Sequence, residues 1–267
     1  MTGKNQLNKQ IGLESMLTSR QKNLLFAVIK EYCETGQSVG SKEIKDKYDF
    51  EFSPATIRNE FATLRDLGFL YQPFTNASNQ PTEIAFKLFV NQLIAGLGVT
   101  NKRQNDFKKQ IIEMQKNQAS LNKEISRLLA FQGGGVGFSV DEKGESITGI
   151  SNLLSIPGEA KVADILDFLD NLDSYKKPLL EGTSDLSSTN QIVNFEAKNQ
   201  KVKKPIKAIF GMENPVLPLG KGYAMVATEV YVGNKKNVIG LIAPNHLLAR
   251  KQNLELIEAI SNALSDS

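Results

Sequence analysis

Between positions 53 and 68 the apolar residues Ile57, Phe61 and Leu64 recur at steps of four and three, which predicts a helix with one buried stripe. Both ends of that helix are written in the sequence. Ser53 is placed to cap it with its hydroxyl, and Pro54 falls at the first helical position, where a missing N–H costs nothing. Gly68 supplies a left-handed residue to stop it. Upstream, Leu25, Val28, Ile29 and Tyr32 form another helical stripe. It opens on the capping box Thr18-Ser19-Arg20-Gln21 and closes at Gly36. Ser41 is placed as the cap of a short helix with Ile44 and Tyr48 inward. Helix, short helix and capped helix in that order predict a helix-turn-helix unit.

After Gly68 the run Phe69-Leu70-Tyr71-Gln72 predicts a strand, the polar stretch Pro73 to Gln80 a turn, and Pro81-Thr82 the return: a hairpin, or wing. Glu83 to Leu97 reads as a helix with Ile84, Leu88, Phe89, Leu93 and Leu97 on its apolar face. Further on, Phe107, Ile111, Met114, Gln118, Leu121, Ile125 and Leu128 alternate steps of four and three, the seam of a helix pair. That seam predicts a linking helix that helps two chains dimerise, with Gln118 setting the register. One amphipathic helix packed on its own domain is the alternative. The four glycines between Gln132 and Gly137 suggest a flexible break and fit no phosphate-binding pattern. Beyond them, Phe138 to Val140, Ile206 to Phe210, Tyr223 to Val232 and Asn237 to Ala243 read as strands. Val162 to Leu172 reads as a helix, 181–204 as an exposed loop or irregular strands, and Asn245 as the cap of a last helix with Leu254, Ile257, Ile260 and Leu264 inward.

The outer face of the 53–68 helix carries the chemistry. Opposite the stripe lie Ala55, Thr56, Arg58 and Asn59. Such a face suits base edges in a major groove: Arg grips guanine with two donors, Asn pairs with adenine, and the Ala and Thr methyls can touch thymine. Charge narrows the mode of contact. The net charge of the 267 residues is only +3, with residues 17–92 balanced at nine of each sign. Seven basic and three acidic side chains fall within 101–130. That is no broad basic excess, so any DNA contact must be local and shape-matched. Cys33 excludes an internal disulfide, fits a reducing cytoplasm and reads as a small core residue. No apolar run reaches membrane-spanning length, and Met1–Gln10 is no signal peptide.

Several stretches together resemble one family. They are Leu17-Thr18-Ser19-Arg20-Gln21, Glu34-Thr35-Gly36-Gln37-Ser38-Val39-Gly40-Ser41-Lys42, Ser53 to Glu60, and Leu67-Gly68-Phe69-Leu70 with Gln72-Pro73. Their order and spacing are similar to the amino-terminal winged helix of the heat-inducible transcription repressors, the HrcA family. Weaker likenesses follow at Gly149 to Pro157, Ile206 to Pro215 and Gly240 to Asn245. The resemblance implies an α+β protein: an N-terminal winged helix-turn-helix, a long linking helix, and a C-terminal GAF-like domain of sheet and helices. It implies a cytoplasmic homodimer that represses chaperone operons at an inverted-repeat operator, with a chaperonin as a further partner. On that reading Ala55, Thr56, Arg58 and Asn59 read bases, while Ser41, Lys42, Ser53 and the wing residues Thr75, Asn76 and Asn79 hold the backbone. The wing departs from the family, whose run before Pro-Thr resembles His-Thr-Ser-Ala-Gly-Arg; here Phe74-Thr75-Asn76-Ala77-Ser78-Asn79-Gln80 has lost the His, the Gly and the Arg. The chain is also shorter than the family pattern between the linking helix and Gly149.

The expected organisation is a tail over 1–16, the winged helix over 17–98, the linking and dimerisation helix over 99–131 and the GAF-like domain over 132–267. No enzymatic constellation is apparent. His246 stands beside a helix cap, Asp164, Asp167 and Asp170 fit a solvated helix face, Ser151 lacks a nucleophile frame, and no Cys/His cluster has metal spacing. No metal, cofactor or membrane partner is expected. The alternatives to the repressor are a protein-binding regulator that has lost operator recognition and a small-molecule sensor built on the GAF-like domain.

Overall fold

The computed structural model describes residues 17–97, 121–154, 162–181, 206–211, 217, 219–232 and 235–265. The chain divides into two compact units, Met1–Val90 and Asn91–Ser267.

In the first unit α1 (Ser19–Thr35), α2 (Ser41–Lys47) and α3 (Pro54–Asp66) precede a hairpin of β1 (Leu70–Tyr71) and β2 (Gln80–Pro81), and α4 (Glu83–Ala95) follows. The capping box of α1 forms: the Gln21 N–H donates to Thr18 Oγ1 at 3.2 Å, and the Thr18 N–H donates to Gln21 Oε1 at 3.0 Å. Gly36 ends α1 at φ 68°, and Gly68 follows α3 at φ 79°. Beyond α3 the Phe69 N–H reaches back to the Leu64 carbonyl and the Gly68 N–H to that of Arg65, which satisfies carbonyls the helix leaves open. Helix α2 differs slightly from expectation. Its N-cap is Gly40, whose N–H is held by Glu43 Oε2 at 3.3 Å, so Ser41 lies inside the helix. In α4 the inward face is also shifted. Ala85, Phe86, Phe89 and Val90 are buried, while Ile84 is exposed and Leu88 half-buried. Phe89 meets Phe26 of α1 edge-on at 5.1 Å and Phe86 meets Tyr32 at 6.0 Å, so aromatic packing on α1 sets the register. Cys33 is buried in α1.

The second unit is built on one antiparallel sheet of five strands: β3 (Val136–Asp141), β4 (Gly144–Thr148), β5 (Ile206–Phe210), β6 (Tyr223–Val232) and β7 (Lys235–Pro244), ordered β4-β3-β7-β6-β5. The register pairs Phe138 with Gly240 and Ala227 with Gly240 across the three central strands. Side chains alternate between two buried layers, as the pleat requires. Val136, Phe138, Val140, Ile209, Tyr223, Met225, Val238 and Ile242 share a core with Leu153 of α6 (Ile150–Leu154), Ile165 and Phe168 of α7 (Val162–Asp170), and Leu172 and Leu179 of α8 (Leu172–Glu181). α5 (Leu121–Gly133) packs on β3, and α10 (Lys251–Ser265) packs on β6 and α5. The short helix α9 (Asn245–Leu248) precedes α10, so the expected last helix is broken at Ala249–Arg250. Asn253 Nδ2 ties that corner to the carbonyls of Gly133 at 3.1 Å and Leu247 at 2.8 Å.

Two expectations change here. The glycines after Gln132 form a tight helix-to-strand corner, not a flexible break. Gly134 turns the chain at φ 67°, and a Cβ on Gly137 would lie 2.0 Å from the Ser126 carbonyl oxygen of α5. Gly137 is small because helix and strand backbones touch, and a Cβ on Gly135 would meet the Ile242 carbonyl oxygen of β7 at 2.3 Å. Likewise, Leu121 and Ile125 are fully buried inside their own unit and Leu128 is half-buried, so α5 seats this end of the supposed dimer seam on the sheet of its own chain. A four-three spacing faces a sheet as well as it faces a second helix. The remaining seam positions Phe107, Ile111, Met114 and Gln118 lie outside the described residues, as do the expected tail over 1–16 and, after its first residue, the expected loop or irregular strands over 181–204.

Candidate nucleic-acid interface

Helix α3 is positioned before it is presented. Ile57, Phe61 and Leu64 are buried. Glu60, beside that stripe, is only 7 % exposed, yet it is ionically satisfied: Gln21 Nε2 donates to it at 3.0 Å and the Arg20 guanidinium pairs with it. Burying a carboxylate without such partners would be costly, so this pair fixes the rotation of α3 against α1. Arg20 also lies over the Phe52 ring at 5.4 Å, just ahead of the helix cap. Helix α2 is held the same way. Lys47 Nζ bridges Glu31 at 2.7 Å and Glu34 at 2.9 Å of α1, and these two hydrogen bonds hold its ammonium above the usual lysine range.

That clamp leaves the other side of α3 open. Ala55, Arg58 and Asn59 are exposed and Thr56 half-buried. Ser53 caps the helix: its Oγ accepts the Thr56 N–H at 3.1 Å and lies 3.0 Å from the Thr56 hydroxyl. Ser53 therefore has a structural task, and Thr56 offers mainly its methyl outward. Among the described residues none hydrogen-bonds or ion-pairs with the side chains of Arg58 or Asn59. Ser41, half-buried, and Lys42, exposed, sit in the first turn of α2.

The wing is neutral and well tied at its base. The Tyr71 hydroxyl donates to Gln80 Oε1 at 2.7 Å, and Gln80 Nε2 donates to Ser38 Oγ at 2.7 Å. At its tip the Ala77 N–H closes a turn on the Phe74 carbonyl at 3.0 Å, and Asn76 takes a left-handed φ of 64°. Thr75 and Asn76 are exposed there. Asn79 is not available in the same way. It is 6 % exposed, its backbone bridges to Val39, and its Oδ1 accepts from Arg65 Nη1 at 2.8 Å. It belongs to the wing's attachment to α3 and drops out of the contact set. The sequence reading missed Glu60 and Arg65 as positioning residues. Helical spacing could have found the first, because Glu60 stands three residues after Ile57 and four before Leu64. The Arg65 partner is fourteen residues away and has no local signal.

A helix-turn-helix whose last helix turns an Ala-Thr-x-Arg-Asn type of face outward, followed by a short hairpin, defines a winged-helix DNA-binding domain. Comparison with known proteins places it more closely: residues 16–93 match the family described as "Winged helix-turn-helix transcription repressor, HrcA DNA-binding". Two relatives called heat-inducible transcription repressor HrcA illustrate the likeness. That of Clostridioides difficile (strain 630) is 46% identical over 79 residues, 30% of this chain and 23% of the relative. That of Alkaliphilus metalliredigens (strain QYMF) is 44% identical over 78 residues, 29% of this chain and 23% of the relative. The matched region thus spans about a quarter of the length of these curated relatives. Over residues 16–93 the chain is thus similar to the HrcA winged-helix repressors. A crystal structure titled as that of a hypothetical protein has a TM-score of 0.63 at 16% identity over 94% of this chain and 97% of that one, a likeness of fold. No helix among the described residues is long and apolar enough to cross a membrane.

Proposed function

We propose that this chain is a cytoplasmic, DNA-binding transcriptional repressor of heat-inducible chaperone genes that acts as a homodimer on an inverted-repeat operator. The observation that carries this reading is the outward face of α3: a helix fixed on one side by the bonds of its buried Glu60 to Arg20 and Gln21 holds Ala55, Thr56, Arg58 and Asn59 toward solvent on the other. Arg58 and Asn59 are the base-reading residues, and Ala55 and Thr56 provide methyl contacts. Lys42, Ser41, Thr75 and Asn76 hold the phosphate backbone, which sets register without reading sequence. Two copies would place two such helices on half-sites about one helical turn apart or a multiple of it, which is why the operator is two-fold. Residues in the 101–120 stretch and the carboxy-terminal domain, read as GAF-like, would set the dimer, and a chaperonin is a candidate partner for that domain.

Arg58→Ala tests the assignment. It should lower specific affinity by about 1–3 kcal/mol while leaving binding to scrambled duplex nearly unchanged. Equal loss on both duplexes in a salt-controlled mobility-shift assay would contradict base reading by Arg58. The neutral wing favours one competing reading, a regulator that keeps the fold and binds proteins instead. Uniformly weak binding to every duplex would favour it.

A further inference from the structure

The wing tip exposes a large aromatic ring. Phe74 is 71 % exposed, although a phenylalanine ring ordinarily gains from burial. It is no frayed residue, because its carbonyl closes the 74–77 turn and Asn76 adopts a left-handed backbone to complete it. The base of the hairpin is tied on both sides of the helix-turn-helix, by Gln80 to Ser38 before α2 and by Asn79 to Arg65 of α3. The whole run from Gln72 to Gln80 contains no cation. A wing without charge cannot draw its affinity from counterion release. Beyond the neutral hydrogen bonds of Thr75 and Asn76, what it can offer a duplex is apolar surface.

We propose that Phe74 is an apolar minor-groove contact, its ring packed as a wedge at a base step beside the half-site read by α3. This rests on the operator reading given above. Apolar side chains used in this way partly unstack a step and bend the duplex, and they favour deformable steps over stiff ones. Phe74 would then contribute affinity that salt does not erode, and it would add sequence preference at base pairs that α3 never touches.

The test uses the full chain and an inverted-repeat duplex recovered with it from a random pool. Affinity is measured at several salt concentrations for the unaltered protein, Phe74→Ala, Phe74→Leu and Phe74→Arg. Phe74→Ala should weaken binding by about ten- to a hundredfold with an unchanged slope of log affinity against log salt. Phe74→Leu should retain part of that affinity. Phe74→Arg should regain binding at low salt and steepen the slope by about one. The position is exposed on a turn, so none of these changes threatens the fold. If Phe74→Ala binds as tightly as the unaltered protein to a duplex that Arg58→Ala still discriminates poorly, the wedge is wrong and the operator reading stands. A loss with Phe74→Ala that vanishes at high salt also overturns the wedge. If no duplex is recovered from the pool, the operator reading falls and the wedge with it.

Discussion

Arg58 and Asn59 of the amino-terminal unit project from α3 with no described residue bonded to their side chains, whereas in the carboxy-terminal unit the polar side chains between α5 and the sheet bond to one another. Asn122 alone engages three partners: Oδ1 accepts from Ser139 Oγ at 2.9 Å and Asn237 Nδ2 at 3.3 Å, and Nδ2 donates to Asp141 Oδ2 at 2.9 Å. Ser126 Oγ lies 2.9 Å from the Ser146 hydroxyl and 3.0 Å from that of Thr148. Asp141 also accepts the N–H groups of Lys143 and Gly144 at the β3–β4 turn. Burial works against its carboxylate, but these hydrogen bonds outweigh it and hold the carboxyl below its ordinary range. One unit thus uses ion pairs to fix a helix whose other side is open, and the other uses this polar cluster to join helix to sheet. Chemistry offered to a partner is therefore to be sought on the winged helix.

The largest effect should come from removing the support of the presented face. Phe61→Ala deletes a buried ring behind Arg58 and should cost about 3–5 kcal/mol of stability, read by thermal unfolding, together with loss of specific duplex binding. If binding survived intact, the exposed face would not depend on its packed side. Gly137→Ala sharpens the other half of the comparison. Its Cβ would collide with the α5 backbone and should cost about 1–3 kcal/mol, visible as a lower melting temperature. A neutral outcome would mean the glycine corner is not close-packed. Asn79→Ala should cost about 1 kcal/mol by breaking the Arg65 bond, and it should weaken duplex binding without changing which bases are preferred. A changed preference would return Asn79 to the base-reading set.

The smallest effect is in pH. Burial, reinforced by Glu255, raises the Glu258 carboxyl from 4.5 to about 7, so its contribution to stability falls as pH rises through that window. Burial, with Arg250 beside it, lowers His246 from 6.5 to about 4, so its contribution falls as pH drops through that window. The two slopes oppose each other between 4.5 and 6.5. Glu258→Gln should expose the His246 slope, with stability rising from pH 4 to 6.5 in denaturant titrations. A flat profile in that variant would show that His246 is not the opposing group.

Legibility follows the same division. The presented helix was readable because its determinants are local: a cap, a proline, a stripe and a stop glycine within sixteen residues, plus an outer face that the stripe defines by exclusion. The strands Tyr223–Val232 and Lys235–Pro244 were readable by alternation. The misreadings all concern what an element meets. The helical spacing puts Ile84 inward along with Phe89, and only the rings on α1, far along the chain, select Phe86 beside Phe89 in place of Ile84. Leu121 and Ile125 have a spacing that cannot tell a second copy from a sheet. The glycines before β3 look like flexibility in sequence and like contact in space. Asn79 looked like a donor for DNA because the arginine that occupies it lies on another element.

The most direct test is a paired selection of bound duplexes from a random pool by the unaltered full chain and by Arg58→Ala. The account predicts an inverted repeat for the unaltered protein, and for the variant the same repeat with relaxed preference at one base pair in each half-site. An unaltered protein that enriches no sequence, or a variant whose recovered motif is identical at every position, would contradict it.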